Sequence, residues 1–270
     1  MSLIDTNWLE KNLSNVKVID ASWHMPNTNR NGYEEYHKEH IPNAIFFDLD
    51  KNSKKKTDLP HMLVDKNSWN KIVSEMGINN SDEIVVYDNS DIISSCRCWY
   101  NFIYFGHNPN LIHVLDGGLK KWNNEDRPIS NTLSTKQNSN YKSIENKELV
   151  KNKKEIDENI STNKFNVIDA RSRERFKGEV QEPRKGLRSG SIKNSFCLPF
   201  SELINENHSF LDKEKLTEKF NTIKCNLDEN TVFSCGSGVT ASVLSLAYSL
   251  INNRYMPKIY DGSWSEYGKK

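Results

Sequence analysis

Thr231-Val232-Phe233-Ser234-Cys235-Gly236-Ser237-Gly238, continued by VTASVLSLAYSLI (239–251), changes character twice in a short distance. Thr231 to Ser234 form a β-rich apolar run that predicts a strand. Gly236, Ser237 and Gly238 allow a sharp turn with little steric conflict. Val243, Leu244, Ala247, Tyr248 and Ile251 then follow helical spacing. The pattern is strand, tight loop, helix, with the thiol of Cys235 at the base of the loop. In parallel α/β sheets ligands sit at the carboxyl ends of strands, in such loops. Backbone N–H groups and the helix N-terminus facing the loop favour an anionic sulfur, so the thiolate of Cys235 is expected near neutrality.

Working outward, short apolar runs alternate with helical patterns along the whole chain. VKVID (16–20), AIFFDL (44–49), EIVVYD (83–88) and LIHVLD (111–116) predict strands, and SWNKIVSEMG (68–77) and the stretch after Asp91 predict helices. This alternation implies an α/β fold with a mostly parallel sheet and helices on both faces. The same order then recurs. Val18-Ile19-Asp20-Ala21 matches Val167-Ile168-Asp169-Ala170, and HIPNAIFF (40–47) matches SIKNSFCL (191–198). The run ending at Asp88 matches the run ending at Cys235, and Leu115-Asp116-Gly117-Gly118 matches Tyr260-Asp261-Gly262-Ser263. Collinear matches of this kind mark a tandem duplication. The polar stretch SNTLSTKQNS (130–139) has no apolar periodicity and is the expected join. The expected domains are therefore 1–130 and 146–270, with a linker over 131–145.

Composition agrees and narrows the function classes. The chain has 270 residues, enough for two ordinary domains. Lys and Arg total 37 against 36 Asp and Glu. A net charge of +1 argues against a nucleic-acid binder acting through bulk charge. Six Trp and 10% aromatics supply large core side chains. Five Cys, an odd number, argue against a disulfide framework and leave at least one free thiol. The N-terminal MSLIDTNWLEKNL lacks the basic-then-apolar pattern of a secretory signal, and no apolar run reaches membrane-spanning length. A cytoplasmic protein with no membrane partner is expected.

The loop excludes two rival chemistries. A cysteine phosphatase needs Arg six positions after its Cys, where Ala241 stands. A phosphate-binding P-loop ends in Gly-Lys-Ser/Thr, and this loop has no Lys. Cys96, Cys98, Cys197 and Cys225 lack the Gly-rich setting and are expected to be structural. Cys96-x-Cys98 has no second pair at zinc spacing, and His37 and His40 on a helix are expected to be surface residues, so no metal and no cofactor are expected.

The active loop Cys235-Gly236-Ser237-Gly238-Val239-Thr240-Ala241 resembles that of the tandem-domain rhodanese-like sulfurtransferases, most closely the members that use 3-mercaptopyruvate. DASWHMP (20–26), HIPNAIFFDLD (40–50), DLPHML (58–63), CRCWYNFIYFGH (96–107), LDGGLKKW (115–122), DARSRERFKGEVQEPRKGLRSG (169–190) and YDGSWSEYG (260–268) extend the resemblance over essentially the whole chain. It implies two tandem rhodanese-like domains, the first without a nucleophile and with Asp88 near the lost Cys. It implies that Cys235 takes sulfur from 3-mercaptopyruvate, releases pyruvate and passes the sulfur from a persulfide to a thiol, or to cyanide in an assay. Arg175 and Arg184 match the substrate-binding arginines, whose planar guanidinium groups suit a carboxylate and its adjacent carbonyl. The loop residues Gly236, Gly238, Val239 and Thr240 complete the substrate contacts. Ser237, His61 and Asp50 are implied as a proton relay. Arg171, Arg173 and Arg188 are expected to be solvated charges, Arg188 being the one plausible secondary contact.

Two alternatives stay open at this point: a thiosulfate sulfurtransferase, and a non-catalytic rhodanese-like binding module. Thiosulfate enzymes of the family carry basic residues directly after the Cys, whereas Gly236 and Ser237 are neutral, which disfavours a dianion. Thioredoxin is the acceptor the resemblance implies. The chain departs from the family at Asn43 and Asn194, where Gly is usual, and at Ser191 and Lys193. Asn tolerates left-handed backbone, so both turns are expected to survive.

Overall fold

The computed structural model describes residues 2–270 apart from 136, 226 and 229. Lys136, in the expected join, lies outside the described residues. By their contacts the residues form two units. The first comprises Met1–Lys54, Val64–Asn146 and Glu206–Phe210, and the second Lys55–Leu63, Lys147–Asn205 and Leu211–Lys270. The division is thus not one cut in the sequence. Residues 131–145, expected as a linker, run with the first unit, because Tyr141 is buried and stacks on His107, while the Ser139 N–H donates to the Ser74 carbonyl at 2.9 Å.

The first unit holds strands β1 (Leu3–Ile4), β2 (Lys17–Asp20), β3 (Ile45–Phe46), β4 (Ile84–Tyr87) and β5 (Ile112–Leu115), in the order β1-β5-β4-β2-β3. Helices α1 (Thr6–Asn12), α2 (Gly32–Lys38), α3 (Lys66–Glu75), α4 (Ser95–Tyr104) and α5 (Gly118–Asn124) alternate with them. The second unit repeats the plan: β6 (Val150–Lys151), β7 (Val167–Asp169), β8 (Phe196–Cys197), β9 (Val232–Ser234) and β10 (Ile259–Tyr260), in the order β6-β10-β9-β7-β8. Its helices are α6 (Lys153–Thr162), α7 (Arg173–Lys177), α8 (Lys213–Asn221), α9 (Val239–Ile251) and α10 (Ser263–Tyr267). Every strand pairing is parallel.

Parallel strands covered by helices are buried on both sides and are near-continuously apolar. All four residues of β4 and all three of β9 are buried accordingly. AIFFDL pairs only at Ile45 and Phe46, as an edge strand. The helix expected over 68–77 starts earlier, at Lys66, because the Asp65 carboxylate accepts the N–H groups of Asn67 and Ser68. It ends before Gly77, whose φ of 72° leaves the helical region. Asn43 and Asn194 take φ of 66° and 63°, so both Gly-replacing residues hold the left-handed turn. His40 is not a surface residue: it is fully buried, with Nδ1 2.6 Å from the Tyr36 carbonyl and its ring stacked on Tyr36.

The two copies differ at the end of their second strand. Asp20 and Asp169 each accept the N–H two residues on, at 2.9 Å. In the second unit that residue is Arg171, which neutralises Asp169; in the first it is Ser22. Burial without a countercharge pushes the Asp20 carboxyl up to about 6, only partly offset by Ser22 and Tyr87. Its folded value lies above its unfolded one, so the neutral carboxyl favours folding at low pH and that contribution is lost as pH rises through about 6. Asp20→Asn should therefore stabilise the protein at pH 8 by about 1–3 kcal/mol, with about half that gain at pH 5 and little at pH 3, in urea unfolding. An equal effect at pH 8 and pH 3 would contradict this.

Candidate active site

Strand β9 lies in the middle of its sheet, between β10 and β7, and ends at Ser234. Cys235 follows and is 2% exposed. Its backbone is fixed on both sides: its N–H donates to Ser263 Oγ at 3.2 Å, and its carbonyl accepts from the Trp264 N–H at 2.9 Å. Gly238 takes φ of 79°, a left-handed turn that starts α9 directly behind the loop. The following helix is apolar on nearly all sides and buried from Val239 to Tyr248 except at Thr240, so the loop rests on a rigid core element.

Both arginines reach this loop. A methyl group placed on Gly236 would meet Arg184 Nη1 at 3.4 Å and Arg175 Nη2 at 3.5 Å. Two guanidinium groups therefore stand over the backbone of the residue next to Cys235. Arg175 lies on the short helix α7, capped by Ser172. Its guanidinium is held by Glu182, with Nη2 donating to Oε2 at 2.6 Å and Nε to Oε1 at 3.2 Å. Arg184 Nη2 donates to Ser237 Oγ at 3.4 Å.

Ser237 is buried and makes a second contact, with His61 Nδ1 at 3.0 Å. His61 is also buried, in the segment Lys55–Leu63 that belongs to the second unit, at φ of 60°. The adjacent Leu63 N–H donates to Asp261 at 2.9 Å and anchors that segment. Cys235, Gly236, Ser237, His61, Arg175 and Arg184 are thus drawn together within one unit. Asp50 lies in the first unit, where its carboxylate accepts the Trp23 indole N–H at 2.8 Å. Val239 is buried and Thr240 is half-buried at the start of α9.

Arg171 is a correction: it is not a solvated charge but a buried one, donating to both Asp169 oxygens and to Glu182. Its guanidinium stacks on Trp264 at 4.4 Å, and Arg188 lies over the same ring at 4.5 Å. Arg173 is exposed and paired with Glu202. Glu182, Ser263 and Trp264 were not singled out by sequence. The available signal for Glu182 was one acidic residue between two substrate-type arginines, Arg175 and Arg184.

The matching loop of the first unit has no thiol. Ala21 bonds to the Tyr87 carbonyl as Ala170 does to Ser234, and Leu119 bonds to Asp88 as Trp264 does to Cys235. Asp88 therefore occupies the Cys235 position. Its carboxylate turns back to accept the N–H groups of Ser90 and Ser95, both at 2.8 Å, and burial raises its affinity for a proton. The other thiols are held protonated: burial pushes Cys96 and Cys98 well up, Cys197 to about 12 and Cys225 to about 11. Among the described residues, no group of three or more His, Cys, Asp or Glu could hold a metal ion, and no helix is long and apolar enough to cross a membrane.

The family model described as Rhodanese-like domain matches residues 5–125 and 152–270. Thiosulfate/3-mercaptopyruvate sulfurtransferase 1, mitochondrial, of Arabidopsis thaliana is 37% identical, with 98% of this chain and 75% of that protein covered. Thiosulfate sulfurtransferase of Rattus norvegicus is 32% identical, with 100% and 92% covered. The crystal structure of SseA from Escherichia coli, described among 3-mercaptopyruvate sulfotransferases, superposes with a TM-score of 0.86 at 30% identity, with 98% and 100% covered.

Ser263 has φ of 47°, a conformation that costs a non-glycine residue about 1 kcal/mol or more, and Gly118 fills the same place in the first unit at 54°. Ser263→Gly loses the hydroxyl anchor of Cys235 but relieves the strain, whereas Ser263→Ala loses the anchor and keeps it. Ser263→Ala should be less stable than Ser263→Gly by about 0.5–1 kcal/mol in urea unfolding. The reverse order would contradict the reading of Ser263 as strained.

Proposed function

The chain belongs to the rhodanese-like family, as a tandem-domain sulfurtransferase, and from that premise we propose that it moves sulfur from 3-mercaptopyruvate to a thiol through a persulfide on Cys235. The observation that carries the donor assignment is the pair of guanidinium groups over Gly236, in a loop where neutral Gly236 and Ser237 follow the thiol. Such an arrangement suits a carboxylate and its neighbouring carbonyl, and neither Gly236 nor Ser237 adds a cation beside the sulfur.

In the first half-reaction the Cys235 thiolate attacks the donor sulfur. The C3–S bond breaks, its electron pair passes into the enolate of pyruvate, and Cys235 is left as the persulfide. Arg175 and Arg184 hold the carboxylate and stabilise charge growing on the enolate oxygen. The enolate takes a proton at C3 to become pyruvate. Ser237 delivers that proton and is recharged by the imidazole of His61, a reading supported by their 3.0 Å contact. Asp50 is proposed as the third member of the relay. In the second half-reaction an acceptor thiolate attacks the outer sulfur, the S–S bond breaks, and Cys235 returns as a thiolate. We propose thioredoxin as that acceptor and the cytoplasm as the site of action, although the Arabidopsis relative is named as mitochondrial.

Thiosulfate is the second reading, and the rat relative's name supports it. Attack by the Cys235 thiolate on its outer sulfur would break the S–S bond of thiosulfate, release sulfite and leave the same persulfide. A dianion gains most from a fixed cation at the loop, and Gly236 and Ser237 supply none. A non-catalytic binding module is disfavoured by the presence of the thiol and both arginines.

Steady-state kinetics test the assignment. Cys235→Ser should abolish pyruvate release from 3-mercaptopyruvate with the fold retained by circular dichroism. Arg184→Ala should raise KM about 10- to 100-fold, the worth of a charged hydrogen bond. His61→Ala should lower kcat by roughly 10²-fold or more with a smaller change in KM. Full activity in Cys235→Ser would place the nucleophile elsewhere, and an unchanged kcat in Asp50→Asn would remove Asp50 from the relay.

A further inference from the structure

Arg175 brings its Nη2 to the Cys235 loop, yet its charge is already shared with a buried carboxylate. The Glu182 side chain is 2% exposed and accepts from Arg175 through both oxygens, at 2.6 and 3.2 Å. Its Oε1 also accepts from Arg171 Nη1 at 2.8 Å, and Arg171 is held by Asp169 at 2.7 Å. The four side chains form one chain of alternating sign, and their formal charges cancel. Arg175 therefore offers directed N–H donors at the loop with little net positive charge. A carboxylate removed from solvent is weakly screened, so its field reaches the donor site.

We propose that Glu182 acts with the neutral loop residues Gly236 and Ser237 to set donor preference. By neutralising Arg175 it lowers the positive potential at Cys235 enough to disfavour a dianion such as thiosulfate while still admitting a keto-acid monoanion. Glu182 touches Arg175 and not the donor, so it acts as a positioning and charge-balancing residue. The inference rests on the substrate placement proposed above.

Glu182→Gln removes the charge and keeps an acceptor oxygen for the arginines. In a ping-pong reaction the donor's kcat/KM reports the first half-reaction alone, so the acceptor drops out of the comparison. Measured with 3-mercaptopyruvate and with thiosulfate, the ratio of kcat/KM for thiosulfate to that for 3-mercaptopyruvate should rise about tenfold over the wild-type ratio. A purely structural role for Glu182 would lower both constants without raising the ratio, and an unmoved or lower ratio overturns the proposal. Should Glu182→Gln not fold, Glu182→Asp carries the test: it keeps the charge at a shorter reach, so both constants should fall together while the ratio stays at the wild-type value. A tenfold rise in Glu182→Asp would show that charge is not the cause and overturn the proposal. A wild-type protein that releases no pyruvate from 3-mercaptopyruvate overturns the donor assignment itself, whereas an unmoved ratio in an active protein overturns only the role of Glu182.

Discussion

Asp169 closes β7 and binds the Arg171 guanidinium through both of its oxygens, at 2.7 to 3.1 Å, with both side chains almost fully removed from solvent. From this pair the rest of the site is reached by contact. Arg171 fixes Glu182, Glu182 fixes Arg175, and Arg175 stands over the Gly236 backbone. Arg171 also stacks on Trp264, whose N–H holds the Cys235 carbonyl. A buried ion pair is a weak net stabiliser, because desolvation offsets most of the attraction. Breaking it is another matter, since a lone buried charge costs about 3–5 kcal/mol. The pair is therefore better understood as a device that fixes geometry than as a source of stability.

The first unit shows what the same frame does without that device. Its Asp20 stands where Asp169 stands, but Ser22 replaces Arg171, and the carboxyl binds its proton up to about pH 6. Asp88 replaces Cys235 and spends its oxygens on the amides of its own loop. Gly118 replaces Ser263 and takes the left-handed turn without a hydroxyl to reach back. Each change alters one element of the Cys235 loop and its surroundings, while the central strands β4 and β9 stay fully buried in both units.

Much of this was legible in the sequence. The apolar runs ending at Asp20, Tyr87, Asp169 and Ser234 each became a parallel strand, because strands covered on both sides need continuous apolar side chains. The strand-loop-helix at Cys235 followed from three local residue types, so it needed no long-range knowledge. The segment AIFFDL shrank to two paired residues because edge pairing depends on a neighbour and not on composition. His40 is buried, against the expectation of a surface residue, because its ring stacks on Tyr36, which helical spacing does not reveal. Arg171 is buried for a related reason: Glu182 and the Trp264 ring reach it only once the chain folds. The assignment of Lys55–Leu63 to the second unit was equally invisible, since its anchor is Asp261, about two hundred residues away.

On the proposed mechanism Cys235, and no other thiol, carries the sulfur between the two half-reactions. The most direct measurement is the mass of the protein and of its cysteine peptides after 3-mercaptopyruvate is added without an acceptor and the excess is removed. One added sulfur atom per chain is expected, confined to the Cys235 peptide and lost when a thiol acceptor is supplied. An added sulfur on Cys96, Cys98, Cys197 or Cys225, or pyruvate release with no sulfur retained on the protein, would contradict it.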